Sequence, residues 1–196
     1  GIRIRKYGQQ VIQILTGKRV HGTGSVPGGF NKALSREDRD RMRADIDQIT
    51  QWCASALTLA RDLFLAGQPE QGRFANFPSG FMSLVRPDGA ADLYDGALRV
   101  KDAQGQLIVD QVDVHDYQQL IVEEVKPWTY MKFPHLRALG PEHGWYRVGP
   151  MARVNNASYF DTPLAEAARA EFMAWGGGKP VGASLAQHWA RLIDTL

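Results

Sequence analysis

Ile4, Tyr7, Val11, Ile14 and Leu15 recur at intervals of three and four, which predicts an amphipathic helix over residues 2–16 with Gly17 beyond its C-terminus. A second series is longer. Met42, Ile46, Ile49, Cys53, Ala56, Ala60 and Leu63 alternate four and three apart behind Ser35-Arg-Glu-Asp38, which reads as a capping box. The spacing predicts one long helix over residues 36–66, ended by Gly67, Pro69 and Gly72.

The period then changes. Residues 81–85, Phe-Met-Ser-Leu-Val, read as a strand, and Pro87-Asp-Gly89 as a turn. Residues 98–100 and 107–109 are apolar runs flanking Asp102-Ala-Gln-Gly105, a four-residue hairpin loop, so residues 80–112 are expected to form a small antiparallel sheet. Residues 116–125 read as a short helix, and the Pro-, Gly- and aromatic-rich stretch 127–150 as an ordered, irregular loop. Thr162-Pro163 opens a helix whose face is Leu164, Ala168, Phe172 and Trp175 and which stops at residues 176–178, three glycines. A capping box at Ser184-Leu-Ala-Gln187 opens a terminal helix. The expected fold class is α+β, mainly helical, with a small antiparallel sheet inserted after the long central helix. Residues 1–196 read as a single domain: a helical part over 1–79, the sheet over 80–112, and an irregular loop with terminal helices over 113–196.

Composition narrows the function classes. With 196 residues and 44% hydrophobic content, the chain can build its own core. Its 23 basic residues face 21 acidic ones without a sustained basic stripe, which argues against nucleic acid as partner. No apolar run has the length to span a membrane. The lone Cys53 excludes an internal disulfide framework, a cysteine-based zinc site and an iron–sulfur cluster held by this stretch alone. The first residues read as the middle of a helix and the last as a helix cut in full stride, so both ends look excised from a longer polypeptide. Apolar faces left open that way are expected to make the isolated chain self-associate.

Generic motifs do not declare a function. The glycine-rich stretch 17–29 fails as a phosphate loop, because Arg19 follows Gly17-Lys18 and Ile12 stands where the first glycine belongs. It fails as a dinucleotide fingerprint, since a helix precedes it and Pro27 takes the place of the third glycine. His115, His135, His143 and His188 form no ligand spacing and read as ordinary hydrogen-bonded side chains. His21 stands apart, in a glycine-rich loop between two strong helices, where a side chain is presented instead of packed. Glu123-Glu124 reads as a solvated helix face, and Asn156-Ala-Ser158 matches a glycosylation sequon, which matters only in a secreted chain.

Two segments carry a resemblance. Lys18-Arg-Val-His21-Gly-Thr-Gly-Ser-Val-Pro27-Gly-Gly29 is the first. The second is Trp128-Thr-Tyr-Met-Lys132-Phe-Pro134 followed by Gly144-Trp-Tyr-Arg-Val-Gly149-Pro-Met-Ala-Arg153-Val-Asn155. Together, and in this order, they resemble the large subunit of [NiFe] hydrogenases, most of all its soluble, cytoplasmic, NAD-linked branch. Met151 stands where that branch usually has Leu, a mild change of volume.

The resemblance implies the central segment of a catalytic subunit whose intact form interconverts H₂ with protons and electrons. It implies a Ni–Fe centre in the full-length parent, held by two Cys-x-x-Cys pairs near the termini of the full subunit. Neither pair is present here, so this stretch is expected to bind no metal and to be inactive alone. It also implies partners: a small subunit with iron–sulfur clusters, and diaphorase subunits. His21 matches the histidine of the family's loop. Its implied role is either to hydrogen-bond a ligand thiolate or relay protons behind the centre, or to tie the loop to neighbouring backbone. Lys132 and Arg153 match the other two motifs; they either pair with carboxylates outside this stretch or anchor the 127–155 loop. The rival reading is a non-catalytic binding or assembly module with a hydrogenase-like core.

Overall fold

The computed structural model describes residues 1–196. The chain divides into two compact units, Gly1–Leu59 and Ala60–Leu196, and the boundary falls inside the long helix.

In the first unit, helix α1 (Ile2–Thr16) closes on Gly17 in the left-handed conformation, φ 80°, whose N–H donates to the Gln13 carbonyl. That is the expected helix and the expected stop. A two-stranded hairpin, β1 (Ser25–Val26) and β2 (Gly29–Phe30), interrupts the glycine-rich loop. Ser35 then caps α2 (Arg36–Arg43) by accepting from the Asp38 N–H at 3.0 Å. The predicted single helix 36–66 is two pieces, α2 and α3 (Ile46–Ala66). Ala44 between them keeps right-handed helical dihedrals (φ −57°, ψ −31°), so the interruption is local. The Tyr7 hydroxyl donates to the Met42 carbonyl at 2.9 Å, and the Lys32 ammonium donates to Ile14 O and Asp38 Oδ2, which ties α1 to α2. Ile49, Cys53 and Leu57 form the buried seam of α3 in this unit.

The second unit is built on a four-stranded sheet. After a short α4 (Glu70–Arg73) come β3 (Gly80–Val85), β4 (Ala97–Lys101) and β5 (Leu107–Val112), with antiparallel neighbours. The hairpin loop has the expected chemistry: Gly105 is left-handed at φ 87°, and the Asp102 carboxylate accepts from the Gln104 and Gln106 N–H groups. Residues 116–125 depart from the predicted helix. Only α5 (Tyr117–Leu120) is helical, and β6 (Ile121–Val125) is a strand that pairs antiparallel with β7 (Lys132–Leu136). A short β-branched run such as Ile121-Val122 satisfies either period, and the pairing partner decided it. Pro134, lacking an N–H, is tolerated because β7 has only one strand neighbour. The stretch 127–150, expected to be irregular, thus contains β7, α6 (Gly140–His143) and β8 (Tyr146–Arg147). Strand β8 joins the main sheet parallel to β3, giving the order β5-β4-β3-β8.

Helix α7 (Pro150–Asn156) starts on Pro150 and lies on one face of this sheet. Because side chains alternate along a strand, Phe81, Ser83 and Val85 face α7 while Met82 points away. The opposite face buries Met82 and Val100 with Leu120 and Leu136. Helices α8 (Pro163–Trp175) and α9 (Gln187–Ile193) complete the core, where Phe172 and Trp189 meet edge to face at 5.0 Å. The capping box expected at Ser184 is not formed. Residues 184–186 make a 3₁₀ turn instead, and the Ser184 hydroxyl donates to the Ala75 carbonyl at 2.6 Å. Mainly helical structure with small, mostly antiparallel sheets is the α+β class expected from the sequence.

Candidate functional site

The glycines of the first loop are explained by close approach. A Cβ on Gly22 would fall 2.2 Å from Thr16 Oγ1, and one on buried Gly24 would fall 2.8 Å from Thr16 Cγ2. The loop therefore folds back tightly on the last turn of α1. His21 sits at the outside of this fold, exposed, with φ 51° and no side-chain hydrogen bond. A left-handed histidine is uncommon and costs conformational energy. The imidazole is presented at the surface of the loop.

Lys132 and Arg153 belong to the other unit. Lys132 opens β7 opposite Val125, is exposed and has no ion pair. Arg153 on α7 is held bidentately by the Asp194 carboxylate just beyond α9, with Nε donating to Oδ1 at 2.8 Å and Nη2 to Oδ2. Arg153 thus joins α7 to α9, and it is on a helix, not in an irregular loop.

Sequence reasoning missed a denser polar core beside it. The Asn156 carboxamide, fully buried, reaches the Phe81 and Arg99 carbonyls at 3.0 Å each and Ser83 Oγ at 3.2 Å. Its burial leaves no room for a glycan, so the sequon is not an acceptor site. Asn155 donates to the Met151 and Val181 carbonyls and accepts from the Val181 N–H at 2.8 Å. Arg99 chelates Asp110 at 2.8 and 2.9 Å, and its guanidinium holds that carboxyl below the usual carboxylate range. Burial, with Arg99 and Arg169 nearby, pushes the Lys101 ammonium down. These groups stand at the end of the quoted Gly-Pro-x-Ala-Arg-Val-Asn segment (Asn155), in the residue just after it (Asn156) and on strands β4 and β5. Asparagine on the buried face of a helix was the available signal.

Glu123 and Glu124 lie on strand β6, not on a helix, and Glu124 pairs with Lys126. His115 Nδ1 contacts Asp113 Oδ1 at 2.7 Å, and His135 is buried in β7. No three His, Cys, Asp or Glu side chains converge as metal ligands. Cys53 is buried in the α3 seam, and burial pushes its thiol up, away from the thiolate form that binds metals.

No family model matches the chain. Individual relatives do. The chain is 39% identical to the NAD-reducing hydrogenase HoxS subunit beta of Cupriavidus necator, over 100% of its own length and 41% of the relative's. It is 34% identical to a subunit of the vhu F420-non-reducing hydrogenase of Methanocaldococcus jannaschii, over 98% of the chain and 46% of that protein. Among solved structures, an NAD⁺-reducing [NiFe]-hydrogenase in the H₂-reduced state superposes with a TM-score of 0.92 at 46% identity, covering 98% of this chain and 43% of that one. The chain therefore spans less than half the length of the relatives it matches, and these matches cover 98–100% of the chain. The chain belongs to the family of [NiFe] hydrogenase large subunits, as a stretch of about two-fifths of one such polypeptide.

Proposed function

We propose that this chain is the central scaffold of a [NiFe] hydrogenase large subunit whose intact form interconverts H₂ with protons and electrons, linked to NAD in the cytoplasm. The observation that carries this reading is the end-to-end match, in sequence and in fold, to a stretch of an NAD⁺-reducing enzyme. No helix of the chain is long and apolar enough to cross a membrane.

The Ni–Fe centre does not fit the donor set of this stretch. One buried, protonated thiol in an apolar seam and no converging His, Cys, Asp or Glu side chains cannot replace the thiolates that such soft metals take. The residues present do other work. Asn155, Asn156 and the Arg99–Asp110 and Arg153–Asp194 pairs lock α7 to the sheet and to α9, which makes a rigid platform. Under this reading His21, held outward on a glycine loop with no side-chain partner, would exchange a proton or a hydrogen bond with groups supplied by the rest of the subunit. Partners under this reading are a small subunit carrying iron–sulfur clusters and diaphorase subunits. The flanking coding sequence tests it. Cys-x-x-Cys pairs on both sides are expected, while reading-frame boundaries at Gly1 and Leu196 would favour a non-catalytic module.

A further inference from the structure

Arginines whose guanidinium is largely covered need an anion, because a buried cation left alone forfeits its hydration. The second unit obeys this rule repeatedly. Arg61 meets Glu171, Arg86 meets Asp161, Arg99 meets Asp110, Arg153 meets Asp194 and Arg169 meets Glu166. Arg147 breaks it. Its Nη1 donates to Ser79 Oγ at 2.7 Å and to the Phe77 carbonyl at 3.2 Å, and Nη2, closed off from solvent, has no acceptor. Its Cζ lies 4.6 Å over the Phe77 ring, and no carboxylate is within ion-pair distance. Burial alone holds its pKa below that of a free guanidinium, and no anion opposes that shift.

Arg147 lines a groove of about 700 Å³ whose apolar surface comes from Phe77, Met131, Phe133 and Trp145. Met131 is 61% exposed and Trp145 51%, although the Trp145 indole is fixed by donating to the Pro141 carbonyl at 2.8 Å. Of the groove's acids only Glu124 is present, and Lys126 neutralises it, whereas Lys132 has no ion pair. An apolar floor with Trp, Met, Phe and Arg and a net positive charge has the composition of an interface core.

We propose that this groove docks a partner polypeptide, through a segment carrying an Asp or Glu flanked by apolar residues, with the carboxylate seated on Arg147. A carboxylate seated over the guanidinium would supply the anion that Arg147 lacks and fix the register of the segment. The inference rests on Arg147 and its groove and is independent of the hydrogenase reading.

The test uses the purified 196-residue chain at dilute concentration, with acetyl-Leu-Glu-Phe-amide as probe and acetyl-Leu-Gln-Phe-amide as its uncharged control. Trp145 fluorescence and the ¹H–¹⁵N resonance of Arg147 Nε report binding. The Glu peptide is expected to bind at least about tenfold more tightly than the Gln peptide, with a preference that shrinks as salt rises. R147Q should erase that preference and R147K should keep part of it, with both melting near the wild type. Should R147Q not fold, the wild-type Glu–Gln difference and its salt dependence decide. Equal binding of the two peptides, or none by either at millimolar concentration, overturns the proposal. So does a dimer that R147Q dissolves, which would assign the groove to a second copy of the chain.

Discussion

His21 and Asn156 show how differently two polar residues are used. His21 is exposed, left-handed and unbonded, so its folding contribution is small or negative. His21→Gly should leave the melting temperature of the chain unchanged or slightly higher, since glycine adopts φ 51° freely. In the intact enzyme, His21→Ala should lower turnover about 10-fold if a supporting contact is lost, and up to about 10⁴-fold if proton transfer is lost. Unchanged turnover would remove His21 from the chemistry. Asn156 is the reverse case. Its amide bonds backbone carbonyls of two strands from within the core, so Asn156→Ala removes those bonds and leaves a void. A loss of about 2–4 kcal/mol in urea unfolding is expected, and a loss below about 0.5 kcal/mol would show that the network is dispensable.

Paired elements depend on pH through the same logic. The Asp110 carboxylate on β5 is chelated by Arg99 on β4, and its pKa in the fold lies below its unfolded value of about 3.9. The pair therefore stabilises the sheet above that unfolded value, and the contribution disappears as pH falls through the lower folded value. Asp110→Asn should be less stable than the wild type at pH 7, and the difference should shrink on acidification; thermal melts from pH 7 to pH 2.5 check it. At this scale the sequence was informative where one element decides its own shape. Gly17, Ser35, the Asp102–Gly105 loop and Thr162-Pro163 mark boundaries by local backbone chemistry, and α1, α2 and the β4–β5 hairpin stand where these residues predict. It was uninformative where pairing at a distance decides. Residues 121–125 became a strand only because β7 lies against them, and β8 is two residues long yet joins the main sheet. The polar core around Asn156 was hidden for the same reason, since the carbonyls its amide reaches lie on strands more than 50 residues away.

Across the whole molecule, apolar surface remains open. Ile2, Phe30, Tyr94, Trp128 and Tyr130 are each more than 70% exposed, and α1 buries no residue. Faces of this kind drive association, so light scattering should show the mass rising above 21.8 kDa with concentration; a monomer throughout would contradict it. The platform built by α7, the sheet and α9 is tied by the Arg153–Asp194 pair, and no three His, Cys, Asp or Glu side chains converge in the chain. His21, Lys132 and Arg153 were legible in the sequence as a set only through the family resemblance, and the structure leaves His21 and the other two in separate units.

If this stretch frames a hydrogenase large subunit as proposed, the metal is held elsewhere in the same polypeptide. Elemental analysis of nickel, run in parallel on residues 1–196 and on the full-length subunit, addresses it most directly. No stoichiometric nickel is expected in the 196-residue chain, which has no thiolate pair, and about one nickel is expected per full-length subunit. About one nickel per 196-residue chain, or none in the full-length subunit, would contradict it.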